Sequence, residues 1–275
     1  MARRDGVADG VDAGHHTMSP HEETNTSFSS RPGKPLVFGV ALIVSAVWML
    51  VWKSSLDGVF HFDDYGNIVN NQRIRSLWPV TPFLTNNRPI GLYSFALNWH
   101  FSQDDPFPYH VVNLAVHVVN GLLLFAGIQL AALLHQKHWK GISDPRLGYA
   151  NLTLGALVST VWVIHPLTTQ AVTNVVQRYE SLTSLGYLGV WVGMLLYLFD
   201  RRILGCLAIL LFSWIGLMSK EVFATAPLVV LLFDRLVSRE SWLRIVKVRW
   251  FPYASMVSPF VWFVPMVSRF LSPVQ

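Results

Sequence analysis

The stretch that decides the fold is Val111–Leu134, VVNLAVHVVNGLLLFAGIQLAALL. It carries no charge, and it exceeds the ~20 apolar residues that a helix needs to cross a bilayer. Its first half holds a polar stripe. His110, Asn113, His117 and Asn120 recur at spacings of three, four and three, so all four share one helical face. Polar groups are costly toward lipid, so this face points into a bundle or a wet cavity. Interhelical hydrogen bonding and direct substrate contact are both open to it.

Working outward, the same reading finds apolar runs at Leu36–Trp52, Tyr149–Ile164, Leu182–Phe199, Ile203–Met218, Val222–Phe233 and Phe251–Leu271, the last interrupted by Pro259 and Pro265. Val222–Phe233 is short and crosses fully only by extending into Asp234–Val237. The chain of 275 residues is 52% hydrophobic and 13% charged, which excludes an ordinary soluble domain. The expected fold is all-α, a polytopic transmembrane bundle of about seven spans, one for each of these seven runs. Cys206 is the sole cysteine, so there is no intrachain disulfide and no Cys-based metal site.

Residues 1–35 are polar and read as a disordered cytoplasmic tail, in which His15, His16 and His21 are solvated. Residues 36–275 then form the membrane domain, and Leu36–Trp52 is an uncleaved signal-anchor. Residues 53–109 are the longest non-spanning stretch after the tail, with Arg88–Trp99 as a short helix lying in the interface. His135–Arg146 is a basic loop carrying Lys137, Lys140 and Arg146. His165–Ser181 has helical character but is polar on several faces, with Thr169, Thr173 and Gln177 in one register and Gln170, Asn174 and Arg178 in another. It suits the lining of a polar cavity better than a lipid-facing surface.

The formal charge of +5 is distributed unevenly, and it does not indicate a nucleic-acid partner. With the tail inside, 14 of the 21 Lys and Arg residues fall on the cytoplasmic side. Asp63-Asp64, Arg88, His110, His165, Arg178 and Lys220-Glu221 then all lie near the outer membrane surface. Adjacent acids repel, which favours proton retention by one of them and suits a general base or a bound cation. An acidic N-cap or Asx-turn is the alternative for such a pair. Arg and Lys opposite carboxylates at a bilayer surface suit a lipid-linked phosphate, with a carboxylate taking the proton of an attacking hydroxyl. An ion path or a lipid-headgroup site would use the same residue types.

Six motifs occur in order. They are Phe62-Asp63-Asp64-Tyr65-Gly66-Asn67, Asn87-Arg88-Pro89-Ile90, Pro108-Tyr109-His110-Val111-Val112-Asn113-Leu114 with His117, His165-Pro166-Leu167-Thr168-Thr169-Gln170-Ala171-Val172, Arg178-Tyr179-Glu180-Ser181-Leu182 and Ser219-Lys220-Glu221. Together they resemble the membrane half of the transmembrane-and-tetratricopeptide-repeat O-mannosyltransferases and their bacterial relatives, in the GT-C class of polytopic glycosyltransferases. The resemblance covers residues 36–271.

It implies an inverting transfer of sugar from a polyprenyl-phosphate donor to a hydroxyl of a protein or glycan acceptor, on the non-cytoplasmic face. It makes the acid of the first outer loop essential, here Asp63 or Asp64. Asp63 is favoured as the base, and Asp64 as the group positioning the acceptor or a divalent cation. Arg88, Arg178 and Lys220 would hold the donor phosphate. His110, Asn113, His117, His165, Gln170, Glu180 and Glu221 would line the cavity. Family members continue into further spans and tetratricopeptide repeats. The expectation is therefore a C-terminally truncated gene product, the first half of a split enzyme whose missing spans and repeats a separate chain supplies, or a minimal version, in a bacterial inner membrane and active on the periplasmic face. A non-catalytic remnant or subunit that binds polyprenyl lipid or a partner chain is the alternative.

Overall fold

The computed structural model describes residues 32–139 and 145–271. The expected tail up to Arg31 and Lys140 of the basic loop lie outside these residues, as do the side chains of Lys137 and Arg146. Among the described residues the fold is all-α, with no strand.

Helix α1 spans Lys34–Val51, opened by a proline in its first turn, where a missing N–H costs nothing. The 53–109 loop that follows is built of short pieces: a 3₁₀ turn at Lys53–Asp57, a π-turn at Tyr65–Val69, a second 3₁₀ turn at Gln72–Ile74 and the single helical turn α2, Thr81–Leu84. It ends in α3, Pro89–Ser102, again started by proline. The loop has its own apolar core, in which Phe60, Ile68, Ile74, Phe83, Phe95 and Tyr109 are buried together with Val175, Val176 and Tyr179. A packed core of this kind fixes side chains in a way that a solvated linker does not.

Next come α4, Phe107–Trp139, and α5, Pro145–Val163. The polar segment breaks into a 3₁₀ turn at Pro166–Thr168, α6 at Thr169–Thr173 and another 3₁₀ turn at Val175–Gln177. Beyond it stand α7, Arg178–Leu198, α8, Arg202–Leu217, and α9, Ala226–Ser238. The chain continues through α10, Trp242–Val248, α11, Trp250–Val257, and α12, Phe260–Leu271. The interruption of the last apolar run falls at Ser258-Pro259, whereas Pro265 is accommodated inside α12.

Among the described residues, three helices are long and apolar enough to cross a membrane, at Lys34–Val51, Phe107–Gln136 and Val175–Leu198. A fourth is added if Leu147–Val163 and Pro166–Thr173, bent by 55°, act as one span. The later runs are shorter as helices, at 16 residues for α8, 13 for α9, and 8 and 12 for α11 and α12. At about 1.5 Å per residue, helices of these lengths fall short of a hydrocarbon core about 30 Å thick.

The break after α5 has a specific cause and a specific repair. Pro166 lacks an N–H and disfavours helix at the residue before it. The N–H of Leu167, which would continue the helix onto the Val163 carbonyl, donates instead to His165 Nδ1 at 3.2 Å. The freed Val163 carbonyl accepts from Trp52 Nε1 at 3.0 Å and from Thr168 Oγ1 at 3.2 Å, and it pairs with His117 Nε2 at 2.9 Å. Trp48 Nε1 donates to Thr160 Oγ1 at 3.1 Å, so two indoles dock α1 on α5. Away from water every such backbone group needs a partner.

Helices α7 and α8 meet along a glycine seam, which permits the close backbone approach typical of membrane helix pairs. A Cβ on Gly186 would stand 2.5 Å from Gly216 Cα, and one on Gly205 would stand 2.7 Å from the Gly193 carbonyl oxygen. Glycine to alanine in an exposed helix normally stabilises by about 0.5–1 kcal/mol. Gly186→Ala is expected to do the opposite, lowering stability by about 1–3 kcal/mol because the obstacle is backbone. Gly39→Ala, with open space around it, is the control. Thermal midpoints of the two variants in detergent should move in opposite directions, and matching shifts would refute the seam.

Candidate functional site

The adjacent aspartates part company in the fold. Asp64 is fully buried. Its Oδ2 accepts from the His61 backbone N–H at 2.9 Å, and its Oδ1 from the Val176 N–H at 2.7 Å, 112 residues along the chain. Asp64 therefore ties the first loop to the broken segment, and both its oxygens are committed to protein. Asp63 is exposed, and its own carbonyl accepts from Asn67 Nδ2 at 2.9 Å. The residue before it, Phe62, stands at φ 40° with its ring 89% exposed. A left-handed backbone on a bulky residue costs on the order of 1–3 kcal/mol, and such strain gathers at functional sites.

A divalent cation shared by the two carboxylates does not fit this arrangement, since Asp64 is shut inside the fold with an N–H on each oxygen while Asp63 is exposed. Among the described residues, no group of three or more His, Cys, Asp or Glu is placed to hold a metal. That part of the sequence expectation is corrected by geometry.

Arg178 is a second correction. It is fully buried, and its guanidinium donates to Asn113 Oδ1 at 2.7 Å, Asn98 Oδ1 at 2.6 Å, the Ser94 carbonyl at 3.2 Å and the Tyr109 carbonyl at 3.0 Å. It also lies 4.7 Å from the ring centroid of Phe95. With four of its five N–H donors on protein acceptors and no exposure to solvent, the guanidinium is closed to a phosphate. It joins α3, α4 and α7 instead.

The polar stripe of α4 is likewise used internally. Asn113 Nδ2 donates to the Asn174 and Val175 carbonyls, both at 3.2 Å, and Asn120 Nδ2 to the Ser181 carbonyl at 2.9 Å. His117 serves Val163 and stacks on Trp162 at 5.3 Å. Of the two readings of the stripe, interhelical hydrogen bonding holds for these three residues. Buried His110 differs, because neither ring nitrogen makes a hydrogen bond of normal geometry and the ring packs against Gly58. His165 and Gln170 are exposed, with His165 capping the turn after α5. The expected cavity-lining residues are thus not gathered around one cavity.

Four predicted residues do come together. Arg88 grips Glu221 through both arms, Nη2 to Oε1 at 2.9 Å and Nε to Oε2 at 3.3 Å. Lys220 pairs with Glu180. The Ile90 N–H donates to the Met218 carbonyl at 3.1 Å. These contacts clamp the α8–α9 hairpin onto the starts of α3 and α7. Hydrogen bonding from Arg88 holds the Glu221 carboxyl below the ordinary value, against partial burial that raises it. Because folding lowers this pKa, the pair stabilises at neutral pH and is lost as pH falls through the lowered value.

Beside the clamp lies a polar cleft of about 400 Å³, lined by Gly66, Asn67, Asn71, Arg73, Asn86, Asn87, Arg88, Leu92 and Tyr179. It begins three residues after Asp63. The far side of the same α3 turn bounds an apolar cleft of about 480 Å³, with Phe83, Leu84, Ile90, Tyr93, Leu97 and Met218 on its walls. Sequence reading did not single out the asparagines as a site. The available signal was their density, with Asn67, Asn70, Asn71, Asn86 and Asn87 within 21 residues.

Fold and site together define an all-α membrane protein with an arginine-bearing polar cleft at the base of its first loop. Its sequence is similar to that of protein O-mannosyl-transferase F38B6.6 of Caenorhabditis elegans, at 25% identity over 232 residues, 78% of this chain and 31% of that protein. It is also similar to mouse protein O-mannosyl-transferase TMTC4, at 30% over 179 residues, 57% of this chain and 23% of that protein. Human TMTC3 matches at 25% over 168 residues, 56% of this chain and 16% of that protein. The chain thus spans less than a third of the length of these curated relatives. These similarities support the TMTC-like character that the ordered motifs suggest. No family model matches the chain, and no solved structure matches it.

Proposed function

We propose that the chain is a membrane glycosyltransferase that moves a sugar, mannose by analogy with the relatives' names, from a polyprenyl-phosphate donor to a hydroxyl of a protein acceptor. Asp63 is the general base that takes the hydroxyl proton. The observation that carries this reading is the division of the acid pair, in which Asp64 is consumed by backbone N–H groups while Asp63 stands exposed, its carbonyl held by Asn67 of the cleft wall. Arg88 and Lys220 supply positive charge for the donor phosphate, and that phosphate competes with Glu221 and Glu180 for them. The apolar cleft across the α3 turn offers a polyprenyl chain a place beside its headgroup. The excess of Lys and Arg in the loops on the tail side favours a cytoplasmic N-terminus, with the site on the opposite face of a bacterial inner membrane.

The test is transfer from a panel of radiolabelled polyprenyl-phosphate sugars in membranes carrying the wild-type chain or Asp63→Asn. Loss of a general base costs about 10²–10⁴-fold. Transfer from the mannosyl donor that falls by that factor supports the reading, and equal transfer by both proteins refutes Asp63 as the base.

A further inference from the structure

We propose that the asparagine-lined cleft is the binding site for a hexosyl phosphate headgroup, with its amides reading the sugar hydroxyls and its two arginines the phosphate. This rests on the glycosyltransferase reading, and to Arg88 it adds Asn67, Asn86, Asn87 and Arg73, to which that reading gives no role. The lining holds four carboxamides and two guanidinium groups and no carboxylate. A carboxamide both donates and accepts, as a sugar hydroxyl does.

Part of the amide set is already spent on shaping the cleft. Asn71 is a brace, donating to the Asn67 carbonyl at 2.9 Å and accepting from the Arg73 N–H at 3.0 Å. Asn67 Nδ2 holds the Asp63 carbonyl at 2.9 Å, and Asn86 Oδ1 accepts from the Arg88 N–H at 2.9 Å. Asn67 Oδ1, Asn86 Nδ2 and both amide atoms of Asn87 make no hydrogen bond among the described residues, and they are left for a ligand.

The charges fit a sugar carrying one anionic group. Arg73 makes no ion pair among the described residues, and Arg88 keeps Nη1 outside its two contacts with Glu221. Tyr179 and Leu92 give the cleft an apolar wall, against which the C–H face of a sugar ring packs. The volume of about 400 Å³ lies within the ~300–1,000 Å³ of small-molecule sites.

The experiment is calorimetric titration of the purified full chain with mannose 1-phosphate and with inorganic phosphate. Asn87 is exposed and unbonded in the fold, so Asn87→Leu keeps the protein folded while removing hydroxyl partners. It is expected to weaken mannose 1-phosphate about tenfold, one or two hydrogen bonds' worth, and to leave inorganic phosphate unchanged. Arg73→Gln is expected to weaken both probes. Asn87→Leu binding mannose 1-phosphate as wild type does, or weakening both probes alike, overturns the assignment. So does a wild-type chain that binds no mannose 1-phosphate. Sugar phosphate binding that is sensitive to Asn87, in a chain that transfers nothing, sinks the transferase reading and leaves the cleft assignment standing. Asp63-dependent transfer with binding indifferent to Asn87 does the reverse.

Discussion

Arg178→Met is expected to cost about 4 kcal/mol, with a fall in thermal midpoint of roughly 10 °C or more. The substitution strands the buried side-chain oxygens of Asn113 and Asn98, and removes the second donor of the Ser94 and Tyr109 carbonyls, which keep their places in the ladders of α3 and α4. Each buried acceptor left without a donor costs about 1–3 kcal/mol. Arg178→Lys is expected to recover little, because an ammonium cannot reproduce the planar fork that spans α3, α4 and α7. The measurement is a melting curve in detergent, run beside donor binding at a temperature where the variant is still folded. A wild-type midpoint with donor binding lost would return Arg178 to the phosphate-holding role that its position in the sequence suggested.

Asp64→Asn is the second large effect, and it too acts on stability. The carboxylate accepts N–H groups on both oxygens, whereas an amide has one acceptor and turns a donor toward the other N–H. The expected loss is about 2 kcal/mol, or roughly 5 °C in midpoint. Because Val176 is on the partner segment, the damage should appear as loosening of the first loop against residues 174–177. Hydrogen exchange at the Val176 amide is the local readout, and unchanged protection there would contradict the bond.

Much of the architecture was legible in advance. The apolar runs of α1, α4, α5 and α7 announced their helices, and the end of the third run at Ile164 marked the end of α5, whereas the helical character expected of residues 165–181 is broken into short turns after Pro166. The register of His110, Asn113, His117 and Asn120 gave one face of α4 correctly. What remained hidden was the partner of each polar group, because partners are set by tertiary packing over long separations. Asp64 meets Val176 and Arg178 meets Asn98 across 112 and 80 residues. No periodicity carries that information.

The acid pair shows the same limit on a smaller scale. Neighbouring residues in a turn point in different directions, so two adjacent carboxylates need not share one environment. The sequence placed Arg88, Arg178 and Lys220 in one class as outer-surface cations. Burial divides them, since Arg178 is at 0% exposure while the side chains of Arg88 and Lys220 keep 29% and 26%. The last three apolar runs looked like spans by composition and form shorter helices, of 16 residues for α8, 13 for α9 and 8 and 12 for α11 and α12, the last run being divided at Ser258-Pro259. The asparagine cleft escaped notice since its asparagines and arginines come from two segments separated by α2, and Tyr179 from a third, joined only by the fold.

The central claim is that Asp63 performs chemistry while Asp64 holds the fold. The most direct measurement is mannosyl transfer per folded molecule for Asp63→Asn and Asp64→Asn side by side, with thermal midpoints taken on the same preparations. The account predicts a crossover, in which Asp63→Asn melts like the wild type with transfer reduced about 10²–10⁴-fold, and Asp64→Asn melts lower while its folded fraction keeps most of its turnover. Wild-type transfer by Asp63→Asn, or a folded and fully stable Asp64→Asn that is inactive, would contradict it.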